Sequence, residues 1–445
     1  VDDYKPRHNQ QDFASVMERN MYKGGLCVLE APTGSGKTLS YLITAANKAI
    51  TGERVLISTA TRTLQEQLWT EAIPQIAKIY NGELRPAILK GRDNYLCLRK
   101  FEELLMHPQT LLSAEERDSF MALIPWALTT ETGDINECNS FSPSRNRVLW
   151  SKLSCSASCC NGDNHSHHEN CPALIAKRKA MNANMVLVNH SLFLADLQLD
   201  FALLPAYEHI VFDEAHRLPE ISNQVFGRSI SFFGFRNIAK TLEPSKAGGD
   251  GLLVEIASRI PAEQPELHEL CDKLSEALGE AEKALHRFFM KIGKKLAKQK
   301  NGRNGFTYTN SILAEYEADP ATFLEQYATA RDLAEKLVAG TKDSLKGIVS
   351  DLEGRMTEIS HFVSDFEFVT KGGRSDWVFY MEEPFNPHTI KLHALPLHSG
   401  NIWREKFYPW IKSATFTSAT LSVQGDLTYF VQKMGMDAPG GKKSP

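Results

Sequence analysis

Residues 26–38 read Leu26-Cys27-Val28-Leu29-Glu30-Ala31-Pro32-Thr33-Gly34-Ser35-Gly36-Lys37-Thr38, an apolar run that meets a glycine-rich turn, and the helical pattern of Leu39 to Ile50 follows. Strand, glycine-rich turn and helix in that order are the context a phosphate-binding loop requires. Glycines let backbone N–H groups turn toward phosphate oxygens, and the helix N-terminus adds partial positive charge. Gly34, Ser35, Gly36, Lys37 and Thr38 are therefore expected to hold nucleotide. Lys37 would reach the β- and γ-phosphates, and the Thr38 hydroxyl would face Mg²⁺. Ala31 stands where a first glycine is commoner, and the inner glycines keep the turn feasible.

Arg54 to Ser58, Met185 to Val188 and Ile210 to Asp213 are short apolar runs separated by helical patterns. They read, with Leu26 to Glu30, as buried strands of a parallel α/β sheet. Asp213-Glu214-Ala215-His216 closes the last of these runs, so its carboxylates are expected at the same sheet edge as the phosphate loop. Asp213 would then serve Mg²⁺, and Glu214 would orient the water that attacks the γ-phosphate. His216 completes the tetrapeptide as the last expected catalytic residue.

Two segments interrupt the sheet pattern. Gly91 to about Met181 is polar, cysteine-bearing and poor in strand pattern, whereas Gly227 to Gly373 reads as almost wholly helical. Leu267, Leu270, Leu274, Leu278, Ala281, Leu285, Phe288 and Ile292 mark one helix face, and Leu345 to Phe366 marks a second, predicting a hairpin or small bundle. Asp319 and Pro320 suit a helix start between them. The basic run Lys291 to Arg303 reads as a solvated tip, with DNA contact the rival reading. Trp377 to Met381, Ile390 to Leu395 and Thr415 to Ser418 look like a resumption of the sheet.

The 445 residues suffice for several packed units, and a formal charge of −4 supplies no global basic field for nucleic acid. No apolar run approaches the roughly 18–20 residues that cross a bilayer, and Val1 opens a polar stretch, so a cytoplasmic location is expected. Five of eight cysteines, Cys138, Cys155, Cys159, Cys160 and Cys171, fall within 34 residues, which favours metal over disulfides in such a chain.

With these motifs in place, the chain resembles the bacterial DinG/YoaA-type helicases, XPD-like iron–sulfur members of superfamily 2, nearest the YoaA branch. Lys5-Pro6-Arg7 with Gln10 is similar to their adenine-sensing segment, and Ser58 to Leu68 to their motif Ia. Val188 to Phe193 and Thr417-Ser418-Ala419-Thr420-Leu421 match as well, the latter being the Ser-Ala-Thr motif. The resemblance implies RecA-like helicase lobe 1 in pieces at 1–90, 182–226 and 374–438, an iron–sulfur domain at 91–181, a helical Arch domain at 227–373 and a disordered tail at 439–445. It implies a monomeric ATP-dependent DNA helicase moving 5′ to 3′ on single-stranded, forked or gapped DNA in repair or replication. The sequence stops soon after the Ser-Ala-Thr motif, so a second motor lobe with its arginine fingers is expected to be missing. The rival reading is a non-motor, metal-containing DNA-binding or regulatory module.

Gly91 to Cys97 is similar to the family segment bearing the first cluster ligand. The resemblance implies a [4Fe–4S] cluster on Cys97, Cys155, Cys160 and Cys171. Two departures from the family pattern are the adjacent Cys159, which could replace Cys160, and a lengthened loop, Asn161 to Asn170, with His165, His167 and His168. A zinc site on Cys155, Cys160, His168 and Cys171 is the alternative. Thr59, Arg62, Arg92 and Tyr95 are the expected DNA contacts, with core packing an equal reading for Tyr95.

Overall fold

The structure is a computed structural model and describes residues 8–155, 169–243, 251–299, 305–309, 311–342, 345–383 and 389–437. Its strands are β1 (Gly25–Glu30), β2 (Val55–Thr59), β3 (Pro86–Ile88), β4 (Met185–Asn189), β5 (His209–Asp213), β6 (Arg228–Ser231), β7 (Gly305–Thr309), β8 (Trp377–Glu383), β9 (Lys391–Pro396) and β10 (Ser413–Ser418). Six of them form a parallel sheet in the order β1-β10-β5-β2-β4-β3. The central strands β2, β4, β5 and β10 are buried at every position, which explains their continuous apolar runs. Contrary to expectation, β1 is only half-buried, because it borders a single neighbour, β10.

Period-two alternation divides the sheet's residues between two cores. Val55, Ile57, Met185, Leu187 and Val211 face the helices α1 (His8–Lys23) and α2 (Lys37–Ala49), whereas Leu56, Val186, Val188, Phe212 and Phe416 face a second cluster containing Phe193 and Trp403. On α1 the buried residues Phe13, Met17 and Met21 recur every four positions and present one face to α2. Each such burial contributes roughly 1.5–3 kcal/mol. Parallel register then brings the C-terminal ends of the strands to one edge: Glu30 lies beside Ser418, Thr417 beside Asp213 and Thr59 beside Asn189.

The helical insertion contains more strand than the sequence suggests. Its long helices, Pro265–Gln299, Ala321–Thr341 and Lys346–Lys371, share a core of Leu274, Leu285, Phe288, Phe323, Ile359 and Phe366. The expected helix start holds, since Asp319 Oδ1 accepts the Ala321 N–H at 2.9 Å. Yet β6 and β7 also arise within this segment, and with β8 and β9 they make a separate four-stranded sheet in the order β6-β9-β8-β7. Trp377–Glu383 and Lys391–Pro396 therefore do not resume the parallel sheet as expected; only Ser413–Ser418 does, slotting between β1 and β5. Residues 91–155 and 169–181 fold mainly as helices, and Leu96, Phe101, Phe120, Leu149 and Trp150 share a core of their own.

Compactness divides the chain into one unit of Val1–Gly91, Leu174–Gly227 and Pro396–Pro445 and a second of Arg92–Ala173 and Arg228–Leu395. Among the described residues no helix is long and apolar enough to cross a membrane.

Candidate active site

The phosphate-loop sequence forms the expected turn between β1 and α2. Ala31 N–H donates to the Ser418 carbonyl at 3.1 Å and Ser35 N–H to the Pro32 carbonyl at 3.2 Å. Gly34 and Gly36 take φ of 76° and 83°, the left-handed region that disfavours a Cβ. The backbone conformation favours glycine at 36, and a Cβ there would also displace the side-chain amide of Gln10. Gln10, on the first turn of α1, is thus packed directly on the loop. Ser35 Oγ is buried without a hydrogen-bond partner, an unsatisfied polar atom in the very turn where phosphate oxygens are expected.

Across the sheet edge, Lys37 Nζ lies 3.1 Å from Asp213 Oδ1 and 3.1 Å from Glu214 Oε1. One cation faces two carboxylates, so the group retains net negative charge and an affinity for a further cation. Tyr41, one helical turn beyond Lys37, is fully buried and its hydroxyl donates to Asp213 Oδ2 at 3.0 Å. Burial, then the Asp213 charge, pushes the Tyr41 phenol well above its ordinary range, so the proton stays on Tyr41. Tyr41 therefore ties the helix that carries Thr38, one expected Mg²⁺-side residue, to Asp213, the other.

Glu214 sits at φ 53°, an uncommon left-handed position for a residue with a side chain, and costs about 1 kcal/mol or more. The strain turns its carboxylate toward β10. Ser418 Oγ donates to Glu214 Oε2 at 3.2 Å, and His216 Nδ1 lies 2.8 Å from the same hydroxyl. A hydroxyl has one proton, so with it given to Glu214, His216 Nδ1–H must donate to Ser418. Glu30 accepts the N–H groups of Leu421 and Ser422 at 3.1 and 3.2 Å, fixing the segment after Ser418 against β1. Beneath this edge His190 is buried and pairs with Ser58 Oγ at 2.7 Å; burial pushes its imidazole down to about 3, so it is neutral.

Lys37, Thr38, Asp213, Glu214, His216 and Gln10 are thus brought together. The expected DNA contacts divide differently. Arg62 is exposed and Arg92 half-buried, but Thr59 and Tyr95 are buried, and the Thr59 hydroxyl donates to the Thr61 carbonyl at 3.2 Å. Both are packed inside the fold, the reading that the sequence left open for Tyr95. In the basic run, Lys295 Nζ donates to the Glu315 carbonyl at 2.9 Å and Lys291 to that of Glu317, while Lys300 and Arg303 lie outside the described residues. Tyr41 and Glu30 were not anticipated: Tyr41 reads in sequence as part of an apolar helix stripe, and Glu30 as the end of a strand.

In the second unit, Cys97, Cys155 and Cys171 are all buried. Leu96 bridges Ser154, Cys155 N–H donates to the Tyr95 carbonyl at 2.9 Å, and the Cys155 thiol reaches the Leu96 carbonyl at 3.5 Å. Leu96 N–H donates to the Gly133 carbonyl at 2.9 Å, and a Cβ on Gly133 would strike Pro172, the neighbour of Cys171. Three expected ligands thus belong to one neighbourhood around Leu96. Cys159 and Cys160, with His165, His167 and His168, lie outside the described residues, as do Lys5-Pro6-Arg7 and 439–445. Among the described residues no group of three or more His, Cys, Asp or Glu is placed to hold a metal ion.

Residues 10–126 match the family model of the DEAD/DEAH box helicases. The chain is 29% identical to the ATP-dependent DNA helicase YoaA of Escherichia coli (strain K12), over 98% of this chain and 63% of that protein. It is 34% identical to the ATP-dependent helicase DinG of Mycobacterium tuberculosis (strain ATCC 25177 / H37Ra), over 48% of this chain and 34% of that one. Among solved structures, an XPD helicase aligns with TM-score 0.47 at 14% identity, covering 97% of this chain and 61% of that one. The chain spans only part of the length of each of these relatives.

Proposed function

We propose that this chain, which carries a DEAD/DEAH box helicase domain and is similar to YoaA along nearly its whole length, belongs to an ATP-driven motor that moves 5′ to 3′ on single-stranded DNA in repair or replication. The observation that carries the reading is Lys37 held between Asp213 and Glu214 at the sheet edge where Gln10 packs on Gly36. Mg²⁺ entering with ATP would neutralise phosphate charge and polarise the γ-phosphoryl group. Gln10 would recognise the adenine, and Gly34, Ser35 and Gly36 would present N–H groups to phosphate. Lys37 would leave the carboxylates for the β- and γ-phosphates, and Thr38 and Asp213, the latter fixed by Tyr41, would hold the cation. Glu214 would then orient the attacking water and accept its proton. Because Ser418 and His216 both bond to the Glu214 neighbourhood, a change at Glu214 is passed directly to β10 and the Ser-Ala-Thr segment.

DNA contact in this reading is local and phosphate-directed, with Arg62 and Arg92 the candidates, and binding weakens as salt rises. Cys97, Cys155 and Cys171, joined by Cys160 or its neighbour Cys159, would hold a [4Fe–4S] cluster. Anaerobically purified protein should carry about four irons per chain. Cys97→Ser should lower that content; stoichiometric zinc without colour would contradict the cluster.

The motor reading is tested in the full-length protein by ATP hydrolysis with and without a single-stranded oligonucleotide. Stimulation by the oligonucleotide, abolished in Glu214→Gln, is expected. Hydrolysis that ignores both DNA and the substitution would overturn it.

A further inference from the structure

Glu30 ends β1 at an exposed position, immediately before the phosphate-loop sequence, and holds neither phosphate nor cation in the proposed site. Both of its oxygens are nevertheless engaged. Oε1 accepts the Leu421 N–H at 3.1 Å and Oε2 the Ser422 N–H at 3.2 Å. Residues 419–422 leave β10 in neither helix nor strand, so their N–H groups have no ladder to join. A carboxylate offers only acceptors, and two N–H groups on one carboxylate fix the course of that backbone. The Leu421 side chain is buried, so the segment is gripped by the core on one side and by Glu30 on the other.

That grip reaches Glu214 through Ser418. The Thr420 N–H, next along the backbone from Leu421, donates to Ser418 Oγ at 3.4 Å. His216 Nδ1 lies 2.8 Å from the same hydroxyl, and Glu214 Oε2 lies 3.2 Å from it. A serine hydroxyl has one proton and two lone pairs, and the charged acceptor draws the proton. With Thr420 and His216 on the lone pairs, the Ser418 proton is aimed at Glu214 and the hydroxyl has no other direction to turn. The end of β10 is pinned by the same neighbours, since Ala31 N–H donates to the Ser418 carbonyl and Glu30 lies beside Ser418 in the sheet. The other Glu214 oxygen, Oε1, is the one on Lys37.

We propose that Glu30 is a positioning residue for hydrolysis. By holding Leu421 and Ser422 it keeps Thr420 on Ser418, which keeps the Ser418 proton on Glu214 Oε2 and leaves Oε1 to meet the attacking water once Lys37 has moved to phosphate. The inference rests on the nucleotide reading of this sheet edge. Because both Glu30 oxygens bond to the segment after β10, losing them changes how Glu214 is aimed more than how ATP is held. An interaction that counts only in the transition state shows in kcat, not in KM.

Steady-state ATP hydrolysis by the full-length protein, with saturating single-stranded oligonucleotide, tests the role. Glu30→Ala should lower kcat about three- to tenfold and leave the ATP KM within about twofold, and Glu30→Gln, which keeps one acceptor, should recover part of the loss. Ser422→Pro deletes one of the two N–H donors while Glu30 stays in place. It should also lower kcat, and it serves if the Glu30 variants fail to fold. A KM that rises as kcat falls, no recovery in Glu30→Gln, or a kcat indifferent to both Glu30→Ala and Ser422→Pro would overturn the role of Glu30 and leave the nucleotide reading standing. No hydrolysis by the wild-type protein, or hydrolysis that survives Glu214→Gln, would overturn the nucleotide reading and this role with it.

Discussion

Lys37 sits 3.1 Å from each of two carboxylates and, with ATP bound, would take a second position on phosphate. The motif that makes this pairing, Gly34 to Thr38 with Asp213-Glu214, was legible from sequence because strand, turn and helix context constrain both halves. Tyr41 was not, since a tyrosine on an apolar helix stripe gives no sign that its hydroxyl ends on Asp213. Tyr41→Phe removes a hydrogen bond to a carboxylate and strands Asp213 Oδ2. Chemical denaturation should show a loss of about 1.5–3 kcal/mol. No change would mean that the contact is dispensable.

Among the elements, β5 shows how packing serves chemistry. Phe212 stacks on Phe416 with ring centroids 4.9 Å apart and meets Phe193 edge-on at 4.9 Å, which fixes the strand end where Asp213 and Glu214 emerge. Phe212→Ala should destabilise the protein by about 3–5 kcal/mol, as a buried aromatic truncation does, measured by urea midpoint. A loss near zero would place the strand's support elsewhere. Elements inside the parallel sheet were readable because continuous apolar runs mark doubly covered strands. β8 and β9 were assigned to the wrong sheet for the same reason: an apolar run declares a strand but not its partner. β6 and β7 are short, and β7 carries glycine and threonine, so neither stood out from the helical pattern. Helix ends were better marked. Ser113 and Glu116 form a capping box at the start of Ala114–Thr129, and Ser113→Ala should cost about 1 kcal/mol.

For the whole molecule, two buried histidines set the response to acid. Burial lowers His190 to about 3 and also lowers His209, against an ordinary value near 6.5. The unfolded chain therefore binds protons that the folded chain refuses. Their contribution is fully present above about pH 6.5 and is lost as pH falls toward the folded values, by up to about 1.4 kcal/mol per pH unit for each group. Urea midpoints should fall between pH 7 and 5, and His190→Asn should flatten that slope; equal slopes would contradict the assignment.

In the proposed reading Gln10, the glycine turn, Lys37 and the Asp213-Glu214 pair form one nucleotide site. Equilibrium titration of the 445-residue chain with a fluorescent ATP analogue and Mg²⁺ tests it most directly. Saturable binding is predicted, weakened at least tenfold by Lys37→Ala and largely retained in Glu214→Gln. Binding that is equally strong in Lys37→Ala would contradict the claim.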